Sequence, residues 1–461
     1  MSERDRHSSS RYVSRERSTS RTARGLNRVP PTRTENTQRR QKSQKPRKTL
    51  KERQIKIRER AFSLGVGLDM QLLLLVLLLL GIGLSTLFSA SYVYAFNYNG
   101  TSYNFISKQG IFAIAGVVAM LAISTFNYTY IGRLKWPLFV FSFGMLLVVC
   151  FGKGTSIVPT INGANRWIQL GGFSIQPSEL AKFVSVLMIA TTLSKYEGQD
   201  VPFWQGVVPC FFWFGIFAIF VVVEPHVSAT LIIAFICFSV MLVGGVKLRY
   251  FICIALPVMI VGGFYIAKSG KFAHVSNRIQ GWINPFNPPE GVDTYQTRQS
   301  LYAIGSGGIF GTGIGKSKLK HLFLPEPQND FVFAIFCEEM GLAGAIVVII
   351  LFLWLCWRGI TISINAKDRL GTLLGIGITF QVGIQAALNI CVVTNAIPNT
   401  GISLPFFSYG GSSLFVLLCE MGVLLSISRY NFKQNPTKIL REAEHSIEKP
   451  RKKLFSKNIE R

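Results

Sequence analysis

Residues 70–90, MQLLLLVLLLLGIGLSTLFSA, form an uncharged apolar run that is long enough to cross a lipid bilayer. A membrane-spanning helix needs about 20 predominantly apolar residues, because the hydrocarbon core is about 30 Å thick. Further runs of this kind follow along the chain. The sequence therefore predicts an all-α integral membrane protein with ten transmembrane helices, near residues 72–94, 105–124, 136–152, 177–193, 203–223, 226–246, 250–267, 331–355, 370–393 and 406–427.

Hydrophobicity and positive charge are both high in this chain, and they are segregated. Hydrophobic residues make up 49% of the sequence, yet the net charge is +26 and the pI is about 10.0. The residues before Asp69 and those from Arg429 onward carry 20 of the 26 net positive charges. Such polar segments cannot bury enough apolar surface to fold alone. The sequence predicts a disordered basic cytoplasmic tail at 1–67, a ten-helix membrane domain at 68–430 and a basic cytoplasmic tail at 431–461.

The basic N-terminal tail could bind nucleic acid or anionic lipid headgroups. Because it adjoins a membrane span, membrane lipids are the favoured partner and nucleic acid is not expected. A secretory signal peptide is not expected either, since the first apolar run begins after residue 67 and has full spanning length. The eight cysteines stand singly, without a Cys-x-x-Cys pair, and are interpreted as small buried hydrophobes.

Cations in the short loops predict the orientation of the helices, because cytoplasmic loops of membrane proteins are enriched in Lys and Arg. If both termini are cytoplasmic, the short outer loops at 95–104, 224–225 and 394–405 contain no Lys or Arg. Two longer segments then lie outside, at 153–176 and at 268–330, the second being a large extracytoplasmic loop between helices 7 and 8. The protein is predicted to be a multi-pass protein of the cytoplasmic membrane. The cations of the short inner loops are Arg133, Lys135, Lys195, Lys247, Arg249, Arg358, Lys367 and Arg369.

Polar residues at the outer ends of the predicted spans are candidates for substrate binding. In residues 176–182, QPSELAK, the side chains of Gln176, Glu179 and Lys182 share roughly one helix face, and the last two can form an ion pair. The alternative is a packing ion pair with no chemistry. Arg166 and Trp167 place a cation that suits phosphate beside an amphipathic ring, and the alternative there is an interfacial anchor.

Other charged residues in or beside the spans are interpreted as structural. Glu224, Pro225 and His226 stand at a span boundary, and a lone histidine there is more often structural than a base. Carboxylates within spans are costly to bury unless they are satisfied by neighbouring groups. We expect Glu338, Glu339 and Glu420 to be satisfied in this way rather than to act in catalysis.

The predicted outer loop 268–330 contains Arg278 and a glycine-rich run at 305–315, GSGGIFGTGIG. Glycine allows tight turns and close approach to a ligand. A nucleotide cradle is not favoured, because no strand precedes the run. The loop is interpreted as structured and facing substrate.

Residues 403–413, SLPFFSYGGSS, place small and hydroxyl side chains between two apolar runs. Small residues let the backbone approach a polar headgroup, and N–H groups at a helix start attract anions. The candidate binding residues here are Tyr409, Gly410, Gly411, Ser412 and Ser413. The alternative is a helix cap with close helix packing.

The order of these motifs resembles the bacterial SEDS family, whose members are the FtsW, RodA and SpoVE proteins. The motifs are NGANRWI, QPSELAK, the EP pair, QSLYAIGSGGIFGTGIG, LPEPQNDFVFAIFCEEMG and PNTGISLPFFSYGGSS, and the resemblance covers about residues 70–430. It implies a ten-span glycosyltransferase that polymerises lipid II into peptidoglycan strands for cell division or shape. It also implies a partner, a single-span class B penicillin-binding protein. The motifs favour the division type, FtsW.

The implied reaction needs a carboxylate to take the acceptor's proton and cations to hold the departing pyrophosphate. The candidate substrate-binding residues are Arg166, Trp167, Gln176, Ser178, Glu179, Lys182, Arg278 and residues 409–413. No cofactor is certain; a divalent cation would help pyrophosphate leave, but no acidic cluster with ligand spacing is apparent.

The proton acceptor is where this chain departs from the family, which has an aspartate soon after the Asn-Pro pair of the large outer loop. In residues 284–293, NPFNPPEGVD, Asn287 or Pro288 stands at that place, and neither can act as a carboxylate. Asp293 is the first candidate for the catalytic base and Glu290 the second. The Glu-Pro motif departs too, with His226 where the family continues with Asp. Two alternatives follow: a non-catalytic scaffold of the cell-wall complex, and a transporter that flips lipid II.

Overall fold

The computed structural model describes residues 67–160, 165–170, 173–197, 199–224, 227–253 and 272–434. All of them belong to one compact unit, Phe62–Arg461. The predicted tail at 1–67 except Gly67, almost all of the predicted tail at 431–461 and most of the predicted seventh span lie outside the described residues.

The described part is almost entirely helical, with one short antiparallel hairpin that the sequence did not predict. A 3-10 turn, Ser194–Tyr196, and a π-helical turn, Phe203–Val207, adjoin two of the helices. Residues 248–253 are also helical. The main elements are α1 (Met70–Asn99), α2 (Asn104–Thr125), α3 (Thr129–Arg133), α4 (Lys135–Phe151), β1 (Ile168–Leu170), β2 (Phe173–Ile175), α5 (Pro177–Leu193), α6 (Val208–Val223), α7 (Val227–Val243), α8 (Phe272–Ile283), α9 (Tyr295–Gly307), α10 (Val332–Ile364), α11 (Arg369–Val393) and α12 (Gly411–Gln434).

Each predicted span overlaps a helix, the span at 250–267 only through its described residues 250–253. Within the residues that the structure describes, six helical segments are long and apolar enough to cross a membrane, and two shorter apolar helices accompany them, Lys135–Phe151 and Ser228–Val243. The integral membrane class is therefore confirmed. The six segments are Met70–Tyr98, Asn104–Thr125, Phe203–Val223, Val332–Ile364, Arg369–Val393 and Gly411–Asn431.

Two predicted spans had wrong boundaries. The span predicted at 406–427 starts later, because residues 406–410 form a turn in which Phe406 has a φ of 68°, and the helix begins at Gly411. It then continues to Gln434, into the predicted tail. The span predicted at 331–355 runs on to Ile364. Apolar composition places a helix in the membrane but does not mark where its backbone turns.

Helices α5 and α11 form the interior of the bundle. Helix α11 packs against α5, α7, α10 and α12, and nearly every residue of α5 from Pro177 to Leu193 is buried. Polar side chains on these two helices therefore face protein or a cavity instead of lipid. That environment is where intramembrane charges are tolerated.

Side chains at the helix starts tie distant elements together. The Asp69 carboxylate accepts a hydrogen bond from the Leu72 N–H at 2.9 Å, which caps α1, and also one from Arg358 Nε on α10 at 2.8 Å. Asp368 caps α11 through the Gly371 N–H and accepts the Tyr128 hydroxyl, each at 2.8 Å. Capping carboxylates satisfy N–H groups that have no partner within the helix.

Helix α10 breaks at Gly341, and the glycine-rich loop that follows α9 fills the break. Gly341 has a φ of 67° and a ψ of −171°. The carbonyl oxygens of Glu338 and Glu339 accept from the N–H groups of Thr312 and Gly313, at 2.9 and 3.0 Å. The N–H of Leu342 in turn donates to the Gly308 carbonyl at 2.9 Å. Backbone groups at membrane depth must find partners within the protein, and this loop supplies them.

The side chains of Glu338 and Glu339 anchor the same loop, as the sequence analysis expected. Glu338 accepts the Lys318 N–H at 2.8 Å, and Glu339 pairs with the buried Lys320 ammonium at 3.1 Å. Glu339 also accepts the Ser89 hydroxyl of α1 at 2.6 Å. The segment between α9 and α10 is therefore held against two helices.

We expect Gly311→Ala to destabilise the protein and Gly305→Ala to be tolerated. A Cβ at Gly311, where φ is 80°, would lie 2.1 Å from the Glu339 carbonyl oxygen, whereas a Cβ at the helical Gly305 would meet nothing within 4 Å. Forced overpacking costs about 1–3 kcal/mol. Thermal unfolding of both variants in detergent measures the difference. Equal unfolding temperatures would contradict the packing of the loop into the break.

Candidate functional site

Two cavities meet at one end of the bundle. Cavity A has a volume of about 420 Å³ and lies among α5, α7, α11 and the turn before α12. Cavity B has a volume of about 480 Å³ and is lined mainly by α8, the start of α9 and the segment that follows α11. Four residues line both cavities: Arg166, Ser228, Asp330 and Gly401.

The floor of cavity A is a hydrogen-bonded ion pair. The Lys182 ammonium lies 2.9 Å from a Glu179 carboxylate oxygen and 3.0 Å from the Gln385 side-chain oxygen of α11. Lys182 is only 2% exposed. The Gln385 amide nitrogen donates in turn to the carbonyl and hydroxyl oxygens of Ser403, each at 3.2 Å. The predicted pair is therefore present, and two of the three ammonium donors are already engaged.

Deeper in the bundle, Glu420 accepts two hydrogen bonds from the Gln381 amide nitrogen, at 2.8 and 2.9 Å. This carboxylate lines neither cavity A nor cavity B. Glu420 therefore satisfies a neighbouring side chain, as the sequence analysis expected.

The 403–413 segment lines cavity A with some of its residues and packs with the others. Tyr409, Gly410 and Ser413 line the cavity. A Cβ at Gly411 would come within 2.2 Å of the Phe112 ring, so Gly411 serves close helix packing. The Ser412 hydroxyl accepts the Gln176 N–H at 3.2 Å. The motif therefore contains both cavity-lining residues and packing residues.

Two glutamines fix that segment in place. Gln109 of α2 accepts the Gly410 N–H at 3.1 Å and donates to the Ser408 carbonyl at 3.3 Å. The Gln328 carbonyl accepts the Tyr409 N–H at 2.8 Å. The sequence analysis missed Gln109; a buried glutamine in an apolar helix was the available signal.

The β-hairpin positions Arg166 and Trp167 at the cavities. Ile168 pairs with Ile175 at the open end of the hairpin. Trp167 therefore lies next to Gln176 at the start of α5. Trp167 and Gln176 line cavity A, and Arg166 lines both cavities. Burial lowers the pKa of Arg166, while the carboxylates of Asp330 and Glu224 act in the opposite direction.

Asp330, at the entrance of α10, is a site residue that the sequence analysis missed. Its backbone carbonyl accepts a hydrogen bond from the Asn389 amide of α11 at 2.7 Å, and its side chain is partly buried. Burial raises the pKa of Asp330 to about 6, with Glu326 acting in the same direction and Arg166 against it. Its position directly before a span was the sequence feature that could have identified Asp330 as a site residue.

The candidate bases take different positions. Asp293 is exposed and lines cavity B, and its carboxylate accepts the Tyr295 N–H at 2.9 Å. Arg278 lines the same cavity. Glu290 is exposed and lines neither cavity A nor cavity B.

The structure thus brings ten of the predicted site residues to the two cavities and places others beside them. Three other predicted residues pack beside the lining residues and line neither cavity. They are Ser178, which is 1% exposed, Gly411 and Ser412. Pro225 and His226 lie outside the described residues, and Glu224 beside them is fully buried. The predicted residues that line cavity A are Arg166, Trp167, Gln176, Glu179, Lys182, Tyr409, Gly410 and Ser413. Those that line cavity B are Arg166, Arg278 and Asp293.

The part of the chain that the structure describes contains no group of three or more His, Cys, Asp or Glu residues placed to hold a metal ion. All eight cysteines are free thiols, and only Cys253 is exposed.

Comparison with known proteins gives the family. Residues 70–433 match the FtsW/RodA/SpoVE model, described as cell cycle protein. Stage V sporulation protein E of Bacillus subtilis (strain 168) is 39% identical over 348 residues, which are 75% of this chain and 92% of that protein. The probable peptidoglycan glycosyltransferase FtsW of Geobacter sp. (strain M18) is 35% identical over 74% of this chain and 91% of its own length. The chain belongs to the FtsW/RodA/SpoVE family, also called SEDS.

Solved structures share the fold. A chain of a peptidoglycan synthase complex that coordinates polymerization and crosslinking superposes with a TM-score of 0.64 at 23% identity, over 79% of this chain and 98% of that one. The rod shape determining protein RodA of Thermus thermophilus gives a TM-score of 0.57 at 24% identity, with the same coverage.

We expect Lys182→Met to destabilise the protein strongly, because it leaves Glu179 buried without its counter-charge. Removing one partner of a buried pair costs about 3–5 kcal/mol. Lys247→Met is the matched control, since Lys247 pairs with Asp200 at 3.0 Å on the surface, where such pairs contribute at most about 1 kcal/mol. Thermal unfolding in detergent compares the two. A similar small effect for both would show that the pair does not hold the floor of cavity A.

Proposed function

We propose that this chain polymerises lipid II into glycan strands at the outer face of the cytoplasmic membrane. As a member of the FtsW/RodA/SpoVE family, it is a peptidoglycan glycosyltransferase of cell-wall synthesis. The observation that carries the proposal is the convergence of Arg166 and Asp330 on the place where two cavities meet. A polymerase must hold two sugar headgroups at once, and two joined cavities suit that task.

Each of the two cavities contains its own cations and polar groups. Arg166 borders both, and its planar fork suits bidentate contact with a phosphate. The buried Lys182 adds positive potential from the floor of cavity A, and Arg278 adds a cation in cavity B. These charges stabilise the pyrophosphate as it leaves. Trp167, Tyr409 and Ser413 would contact the sugar headgroup in cavity A.

The proton acceptor must be a carboxylate that faces a cavity. Among the candidates from sequence, Asp293 meets this requirement and Glu290 does not. Asp293 is therefore assigned as the carboxylate that takes the proton of the acceptor sugar in cavity B. The predicted outer loop 268–330, which carries Asp293, supplies that wall.

The proposed topology has ten transmembrane helices with both termini cytoplasmic. Helix α5 begins at the cavities and ends in the 3-10 turn that contains Lys195. Arg369, at the start of α11, donates to the carbonyl oxygens of Tyr196 and Gly244, each at 2.7 Å. The Lys- and Arg-rich loops thus gather at the end of α5 opposite the cavities. From the positive-inside rule we infer that this end is cytoplasmic and that the cavities face outside.

The proposed partner is a single-span class B penicillin-binding protein that cross-links the strands. The fold is shared with a chain from a peptidoglycan synthase complex in which polymerization and crosslinking are coordinated. The activity serves cell division or cell shape, with the division type favoured by the motifs at 162–168 and 398–413.

A non-catalytic scaffold is the second candidate function. One observation favours it: Asn287 and Pro288 stand where the family has its aspartate. Under this alternative the chain would bind its partner and make no glycan.

We expect the purified chain with its cognate transpeptidase to polymerise lipid II, and Asp293→Ala to lose most of that activity. Glu290→Ala is the control, because Glu290 is exposed and borders neither cavity. Gel separation of glycan products made from labelled lipid II measures the rates. Absence of product from the wild-type complex would favour the scaffold, and movement of labelled lipid between leaflets without product would favour a lipid II transporter.

A further inference from the structure

Aromatic side chains line part of cavity A and continue beyond it. Tyr94 of α1, Phe105 of α2 and Tyr409 of the turn before α12 line the cavity. Their rings form a series, because the ring centroids of Tyr94 and Phe105 are 6.1 Å apart and those of Phe105 and Tyr409 are 4.8 Å apart. Tyr98 extends the series, with its ring centroid 4.4 Å from that of Tyr94. We call these four residues the aromatic platform.

The aromatic platform leads from the cavity to the surface of the protein. Tyr94, Phe105 and Tyr409 are partly buried, whereas Tyr98 is 69% exposed and lines neither cavity A nor cavity B. Tyr94 and Tyr98 have i, i+4 spacing and therefore share one face of α1. A ligand longer than cavity A would meet the Tyr98 ring where it leaves the cavity.

Polar side chains accompany the rings inside cavity A. Gln328 and Asn329 line the cavity together with Tyr94. Gln328 is only 3% exposed, and its side-chain oxygen has no hydrogen-bond partner among the described residues. A buried acceptor without a partner is costly, so a donor from a ligand or a water is expected there. Sugars combine both complementary features, since a pyranose ring has an apolar C–H face and hydroxyl donors at its edge.

The size of cavity A determines which part of a glycan the aromatic platform would hold. A volume of about 420 Å³ is typical of pockets that bind one drug-sized ligand, which measure about 300–1,000 Å³. One reacting sugar headgroup therefore fits inside, whereas a strand of many sugars has to lie beyond the cavity. The aromatic platform is a surface suited to sugars that is continuous with the cavity and extends outside it.

We propose that the aromatic platform holds the glycan strand as it grows out of cavity A. This inference rests on the proposed function. Sugar rings of the strand stack through their C–H faces on Tyr94 and Tyr98, which offer large, rigid apolar surfaces. A strand that stays bound between two couplings is extended again before it is released. The aromatic platform therefore sets the length of the strands that the enzyme makes.

The alternative is a role at the membrane interface, because tyrosines are enriched where spanning helices leave the bilayer. Tyr103 provides a matched comparison at the same junction between α1 and α2. It is 64% exposed, and its ring stacks on that of Phe88 with centroids 5.8 Å apart. Tyr103 lines neither cavity A nor cavity B. An interface role predicts equal effects of replacing Tyr98 and Tyr103, whereas the aromatic platform predicts an effect for Tyr98 alone.

The experiment measures the length of glycan strands that the full chain and its transpeptidase partner make from labelled lipid II, compared at equal consumption of lipid II. Tyr98→Leu should shorten the mean strand by about 2–10-fold, the range expected for loss of one aromatic contact. Tyr98→Phe should keep the wild-type length, because the ring face makes the contact and the hydroxyl does not. Tyr103→Leu should also keep it. Thermal unfolding in detergent checks that each variant is folded.

A second measurement detects binding without the reaction. The probe is a soluble glycan tetrasaccharide without lipid or pyrophosphate, studied by saturation-transfer NMR with the full chain in detergent. Its ring protons should show contact with the wild-type chain and with Tyr103→Leu. That contact should be lost in Tyr98→Leu and retained in Tyr98→Phe.

The outcomes separate this inference from the function on which it rests. Strands of wild-type length from folded Tyr98→Leu overturn the inference. Equal shortening by Tyr98→Leu and Tyr103→Leu also overturns it, since both rings would then serve the membrane interface. An inactive wild-type complex would instead contradict the proposed function. The tetrasaccharide spectra then decide, because contact that depends on Tyr98 supports the aromatic platform and contact that does not depend on Tyr98 overturns it.

Discussion

The ion pair between Glu179 and Lys182 is the interaction on which the candidate site depends. A charged side chain within a membrane protein is expensive to bury unless it is paired and hydrogen-bonded. Here the ammonium is bound at 2.9 Å by the carboxylate and at 3.0 Å by Gln385, so one cation joins α5 to α11. Gln385 extends the network to Ser403 and hence to the turn before α12. The floor of cavity A is thus a single connected polar unit inside an apolar bundle.

A second constraint, satisfaction of the backbone at membrane depth, fixes the position of the loop between α9 and α10. The break at Gly341 exposes carbonyl and N–H groups that the glycine-rich loop must pair with. Lys320 adds a buried ion pair with Glu339 to the same attachment. The loop ends at Asp330, so the contacts that repair the broken helix also place a carboxylate where the cavities meet. The hydrogen bonds that satisfy the break in α10 therefore also help to position part of the candidate site.

Local features were predictable from sequence, and features created by packing were not. The helices follow from the length of apolar runs, and the Glu179–Lys182 pair follows from its i, i+3 spacing, because both are set within one segment. The convergence of Arg166 with the 403–413 segment was indicated by their shared position at the outer ends of spans. Asp330, Gln109 and Gln385 were missed, since their importance comes from partners between about 200 and 300 residues away or from cavities that no single segment forms. Gly411 and Ser412 were grouped with the binding residues because composition does not separate a lining residue from a packing one.

We infer that Arg166 binds the diphosphate of a lipid-linked sugar where the two cavities meet. The most direct measurement is a cryo-electron microscopy structure of the complex with lipid II or a non-hydrolysable phosphonate analogue bound. The account predicts diphosphate density within hydrogen-bond distance, about 2.7–3.2 Å, of the Arg166 guanidinium, with sugar density entering cavity A or cavity B. Density for the diphosphate at the opposite end of the bundle, beside the Lys- and Arg-rich loops, would contradict it.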